Sequence, residues 1–164
     1  MIMKKYFLLL GLLVVTLTSC LKLSNQETMQ PTPVDPVVQA KADSVAITAY
    51  LAANPSITAK RDSASGLYYQ IITPGTGANP TENSEITVAY TGKLLNGTQF
   101  DSSASYTQVL SGLIPGWIIG IPFIKTGGRI LLILPSGLGY GNQVRDQIPA
   151  NSVLVFTVDL ISFR

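Results

Sequence analysis

The sequence contains no histidine and a single cysteine, Cys20, among its 164 residues. Without histidine, neither a Ser-His-Asp nor a Cys-His catalytic set can be assembled. Metal sites built from His, or from several Cys, are equally out of reach. One cysteine cannot close a disulfide within the chain. Charge is scarce as well: Asp, Glu, Lys and Arg together make up 12% of the residues, against 46% hydrophobic. That balance excludes a disordered chain and supplies enough apolar material for a core. The length fits one domain of ordinary size with some extras. Lys4 and Lys5 account for the whole net charge of +2, because from Cys20 onward nine basic residues balance nine acidic ones. A neutral body without a basic run argues against nucleic acid as a partner.

What the sequence does have begins with an address. A short basic start, residues 1–5, precedes a twelve-residue Leu/Val-rich stretch, residues 6–17. This is signal-peptide length and falls short of the roughly 18 residues a membrane-spanning helix needs. The stretch ends in Leu17-Thr18-Ser19-Cys20, which resembles the lipobox of bacterial lipoproteins, cut before the cysteine and lipidated on its sulfur. The plainer alternative is a secretory signal with an incidental cysteine. Residues 1–19 are therefore expected to be a lipoprotein signal peptide and Cys20 a lipidation site, with the chain anchored in the bacterial cell envelope. Leu21, not Asp, follows Cys20, a pattern resembling outer-membrane cargo. Residues 20–34, with Pro31 and Pro33, read as the lipidated cysteine and a flexible tether. Such a tether reaches at most about 50 Å.

Residues 35–65 form a helical lead-in. Asp35-Pro36 is a helix start, with Asp as cap and Pro at the first helical position. The Ala/Val-rich segment that follows stops at Asn54-Pro55. Val38, Ala42, Val45 and Ala49 are expected to line one side, with Ile47, Tyr50 and Leu51 beside them. Such a helix either packs on its own domain or docks a partner or second copy.

Residues 66–164 read as a small antiparallel β domain. Strands are expected at 66–72, 86–94, 98–100, 106–110, 129–134 and 153–163, with Asn96-Gly97 as a hairpin turn. One nearly all-apolar short helix is expected at 117–125, between Pro115 and Gly127-Gly128. Residues 136–152 make a long loop carrying Gly137, Gly139, Gly141 and Pro149, and a loop of that length inside a compact domain is usually functional.

Six motifs then occur in order: Val88-Ala89-Tyr90-Thr91-Gly92, Gln99-Phe100-Asp101-Ser102-Ser103, Leu113-Ile114-Pro115-Gly116-Trp117, Ile133-Leu134-Pro135-Ser136, Tyr140-Gly141, and Ile148-Pro149 with Leu154-Val155-Phe156. Together they resemble the FKBP-type peptidyl-prolyl cis-trans isomerases, over about residues 67–163. The lead-in resembles that of lipid-anchored members from the Bacteroidetes group. The resemblance implies an α+β fold, an FKBP-like antiparallel β-sheet wrapped around one short α-helix and preceded here by an N-terminal helix. It also implies a pocket. Trp117 would be its floor. Tyr90, Phe100 and Phe156 would be walls holding a proline ring, and Tyr106 stands where the family often has Phe. Leu113 and Ile114 would close one side, with the Ile114 backbone amide as a donor to bound peptide. Tyr140 would offer its hydroxyl to a substrate carbonyl, and Ile148 would cap the pocket. Asp101 would either polarise the twisted carbonyl or fix Tyr90. Asp101, Tyr140 and Tyr90 are thus the catalytic candidates. Implied partners are proline-containing polypeptides and macrolides such as tacrolimus and rapamycin.

Each assignment has a plainer rival. The aromatics could be ordinary core residues, and Asp101 could cap a turn for Ser102 and Ser103. Some residues depart from the family pattern: Gly137 and Gly139 replace Asp and Ala, Gln108 replaces an aromatic, and Ala150 replaces a proline. These changes bear on substrate preference and rate more than on proline binding.

The implied chemistry needs no acid, base, nucleophile or cofactor. Peptide-bond rotation faces a barrier of roughly 18–20 kcal/mol set by amide resonance, and the X-Pro bond exchanges in tens to hundreds of seconds. A catalyst need only bind the twisted amide better than the planar one. Two functions stay in view: an isomerase for exported proteins, and a non-catalytic binding or chaperone module for proline-containing or unfolded segments.

Overall fold

The computed structural model describes residues 35–164; the signal stretch, Cys20 and the tether lie outside the described residues. Helix α1 spans Pro36–Ala53. Asp35 caps it, its carboxylate accepting from the Val37 amide at 2.7 Å, and Pro36 takes the first turn, where no N–H partner exists anyway. Asn54 closes the other end, donating its side-chain amide to the Tyr50 carbonyl.

Six strands follow: β1 Lys60–Arg61, β2 Tyr68–Thr73, β3 Glu85–Leu94, β4 Gln99–Val109, β5 Arg129–Leu134 and β6 Leu154–Phe163. They form one antiparallel sheet in the order β1-β2-β5-β6-β3-β4. A short helix α2, Pro115–Gly120, lies against the inner face.

The sheet is covered on both faces at its centre, which explains the unbroken apolar run of β5. Ile130, Leu132 and Leu134 join Trp117, Ile121, Phe156 and Val158 on the α2 side. Leu131 and Ile133 join Ile47 and Val155 on the α1 side. Alternate side chains of a strand point to opposite faces, so a strand between two helices is apolar at every position. The N-terminal helix thus packs on its own domain. Of the face expected, Ile47, Tyr50 and Leu51 pack on the domain, whereas the side marked by Val38, Ala42, Val45 and Ala49 faces solvent. Asp43 and Ile47 are buried, whereas Val38 and Val45 are 60% and 63% exposed.

Two further boundaries differ from expectation. The segments 98–100 and 106–110 are one continuous strand, β4, whose register against β3 shifts between Val88 and Tyr90. Opposite the single residue Ala89 lie two, Ala104 and Ser105, a bulge that keeps the strand going through a polar stretch. The expected helix over 117–125 stops at Gly120, and a tight turn, Ile121–Phe123, follows. Pro122 has no N–H to continue the α-helical ladder and its ring clashes with the preceding turn. Asn96-Gly97 is the hairpin turn, with Gly97 at φ 86 and the Asn96 side chain accepting from the Thr98 amide.

Candidate active site

Between α2, the β3–β4 pair and the long loop after β5 lies a pocket of about 220 Å³, lined by Tyr90, Asp101, Tyr106, Leu113, Ile114, Trp117, Tyr140 and Phe156. Trp117 comes from the first turn of α2 and is 4% exposed. Its position depends on Gly116, because a Cβ there would fall 2.3 Å from Leu134. The glycine lets α2 press onto β5.

Tyr90 is the hub of the aromatic wall. Its ring meets Trp117 and Tyr106 edge-on at 5.1 Å and 6.0 Å and Phe156 at a tilt at 6.3 Å, while Trp117 and Phe156 meet edge-on at 5.3 Å. Edge-to-face pairs of this kind hold rings rigidly. The Tyr90 hydroxyl donates to Asp101 Oδ2 at 2.6 Å. Burial, then that hydrogen bond, pushes the Tyr90 phenol well above the ordinary tyrosine value. The Tyr140 phenol is also raised, first by burial and then by the negative charge of Asp101.

Several donors at this site are uncommitted among the described residues. The Ile114 carbonyl accepts from the Trp117 and Ile118 amides, but the Ile114 N–H makes no hydrogen bond among the described residues. Nor does the Tyr140 hydroxyl; the Arg145 guanidinium lies over its ring at 5.4 Å from the centroid. The Trp117 indole N–H is buried without a partner among the described residues.

Of the ten pocket residues singled out from the sequence, eight line this one pocket. Phe100 and Ile148 line an adjoining recess of about 280 Å³ together with Asp101, Tyr140 and Arg145. Phe100 also meets Phe156 edge-on at 5.5 Å. A groove of about 480 Å³ adjoins the pocket through Leu113, Ile114 and Tyr140. Tyr140 borders all three spaces, so an extended chain could enter on one flank of the pocket and leave on another. Gln108 is exposed and lines none of them.

Several supporting residues were not assigned roles from sequence. Gly92 lets the Phe100 and Phe156 rings approach, since a Cβ there would lie 2.7–2.8 Å from both. Its signal was its place in a motif, which does not say what it touches. Among the described residues no three Asp, Glu or Cys gather as a metal site.

Residues 77–161 match the family model described as FKBP-type peptidyl-prolyl cis-trans isomerase. A protein of Buchnera aphidicola subsp. Schizaphis graminum named FKBP-type peptidyl-prolyl cis-trans isomerase FkpA is 47% identical over 105 residues, covering 61% of this chain and 42% of that protein. The similarly named protein of Aeromonas hydrophila is 40% identical over 141 residues, covering 80% of this chain and 53% of the other. The chain thus spans about half the length of the curated relatives it matches. A crystal structure of a peptidyl-prolyl cis-trans isomerase from Pseudomonas syringae superposes with a TM-score of 0.65 at 29% identity, covering 80% of this chain and 98% of that one.

Proposed function

The chain belongs to the FKBP-type peptidyl-prolyl cis-trans isomerase family, and from that membership and the pocket's geometry we propose that it catalyses cis–trans isomerisation of X-Pro bonds in polypeptides. The observation that carries this reading is a ring-lined pocket bounded by uncommitted donors, among them the Ile114 N–H and the Tyr140 O–H.

The planar amide is the more polar form, because resonance places charge on its oxygen and nitrogen. A dry aromatic wall therefore disfavours it relative to the twisted amide. The proline ring would sit against Trp117, Tyr90 and Phe156. The Ile114 amide and the Tyr140 hydroxyl would donate to carbonyls flanking the ring and hold the chain on either side of the rotating bond. Of the two roles open to Asp101, the 2.6 Å bond favours fixing Tyr90. With its hydroxyl engaged, Tyr90 acts as a wall. No bond is made or broken other than the loss and recovery of amide conjugation, so the absence of histidine is no obstacle.

The test is cis–trans exchange of a Leu-Pro peptide, followed by NMR, with the purified chain and with Asp101→Leu and Tyr140→Phe. One transition-state hydrogen bond is worth about 1 kcal/mol, so Tyr140→Phe is expected to slow exchange roughly fivefold, and Asp101→Leu is expected to slow it by freeing the Tyr90 ring that it holds. A folded chain whose variants match it would contradict the assignment of these residues.

Macrolides of the tacrolimus type are proposed to compete for the same pocket. The chain is further proposed to act at the bacterial cell envelope, held by lipid on Cys20 and facing exported clients whose folding waits on proline isomers. The lipobox-like Leu17-Thr18-Ser19-Cys20 supports this. Mass spectrometry of the chain purified from bacterial membranes should find acyl chains on Cys20, and none in Cys20→Ser; an unmodified, soluble chain would contradict the anchor.

A further inference from the structure

We infer that Asp43 is a positioning residue for the pocket: from helix α1 it fixes Ser136, and through Ser136 the loop that carries Tyr140. This rests on the isomerase reading above for its catalytic consequence, though not for the contact itself.

Asp43 is 3% exposed and Ser136 is 1% exposed. One carboxylate oxygen of Asp43 accepts from the Ser136 amide and from the Ser136 hydroxyl, both at 2.7 Å. The other accepts from the Gln39 side-chain amide at 2.7 Å. Ser136 in turn anchors the loop. Its carbonyl accepts from the Gly139 amide at 3.0 Å and the Gly141 amide at 2.9 Å, the two residues that flank Tyr140. The Gly141 carbonyl then accepts from the Asn151 amide at 2.7 Å, which ties the loop's outgoing end to the same base. A continuous set of hydrogen bonds therefore runs from α1 to the backbone on both sides of Tyr140. No residue of α1 lines the pocket, and α1 precedes the span 77–161 that matches the family.

A carboxylate is a poor choice if the contact serves only to dock the helix. Removing it from water costs heavily, and its hydrogen bonds roughly offset that cost, so an apolar residue of similar size would often do as well. Ile47, one turn further along, already docks α1 on Leu131, Ile133 and Val155. What Asp43 adds is direction: two donors from one residue, converging on one oxygen, leave Ser136 a single orientation.

The experiment measures kcat/KM for a Leu-Pro peptide with the full chain, Asp43→Ala, Tyr140→Phe and the double variant. Protection of the Gly139 and Gly141 amides from hydrogen exchange is measured beside it. Asp43→Ala is expected to lower kcat/KM roughly fivefold, comparable to the loss of one oriented hydrogen bond, and to cost almost nothing more in the Tyr140→Phe background. Asp43→Asn, which keeps an acceptor oxygen, should restore most of the loss. Amide protection at Gly139 and Gly141 should fall in Asp43→Ala and in the double variant, and stay as in the wild type in Tyr140→Phe. A folded Asp43→Ala chain with wild-type kcat/KM, or an equal loss with and without the Tyr140 hydroxyl, would overturn the proposal. If Asp43→Ala fails to fold, Ser136→Ala removes only the hydroxyl bond and enters the same comparison. A wild-type chain without activity would overturn the reading of function instead, and amide protection would still decide whether Asp43 holds the loop.

Discussion

The Tyr90 hydroxyl is committed to Asp101 and the Tyr140 hydroxyl is free, yet both phenols are shifted in the same direction. Burial leads in each case, and Asp101 adds to it, through a hydrogen bond for Tyr90 and through its charge for Tyr140. A raised value keeps the neutral, donating form in place beyond the ordinary tyrosine range of about 10. The stability that these groups contribute is thus fully present below the unfolded value of about 10 and is lost as pH rises through the folded value. In an ultraviolet titration, Tyr90→Phe and Tyr140→Phe should each remove one late-ionising tyrosine. Variants whose late-ionising phase is unchanged would contradict the site's geometry. At this scale the pocket was largely legible, because Tyr90, Asp101, Trp117, Tyr140 and Phe156 sit in short motifs of recognisable order. Asp43 was not. It lies among alanines on a helix, and its partner Ser136 is 93 residues away, so no local pattern marks it.

Elements were legible where one physical rule dominated. Asp35-Pro36 gave the start of α1, and Asn96-Gly97 gave the β3–β4 hairpin. The buried face of α1 was read in part, through Ile47, Tyr50 and Leu51; the stripe of Val38, Ala42, Val45 and Ala49 drew attention but faces solvent, and the hydrogen-bonded Asp43 turns inward instead. The far end of α2 was misread because an apolar run looked uninterrupted, although Pro122 interrupts it. Glycine's role in packing also appears only at this scale. Gly116→Ala would drive a methyl group into Leu134, whereas a Cβ at Gly137 meets nothing within 4 Å. Overpacking of this kind costs about 1–3 kcal/mol, and it would tilt the helix that bears Trp117. Gly137→Ala, at ordinary φ, should be neutral or stabilise by about 0.5 kcal/mol. Thermal unfolding of the two variants checks the contrast; similar midpoints would show that α2 is not pressed against β5.

For the molecule as a whole, the antiparallel sheet with one helix on each face follows from the alternation of β6 and the two-sided apolar run of β5. The strand order β1-β2-β5-β6-β3-β4 was not readable from a single chain, because pairing partners are far apart in sequence. That order sets the loop after β5 beside α2 and the β3–β4 pair, which is what makes a pocket from three distant motifs. The central claim is that this pocket lowers the barrier to rotation of an X-Pro bond, beyond merely holding the segment. The most direct test is the cis–trans exchange rate of a Leu-Pro peptide with the chain present far below stoichiometric amounts. Exchange well above the rate of the peptide alone is expected, since each chain would turn over many peptides. Exchange at the uncatalysed rate, from a folded chain that still binds the peptide, would contradict the claim and leave a proline-binding module in its place.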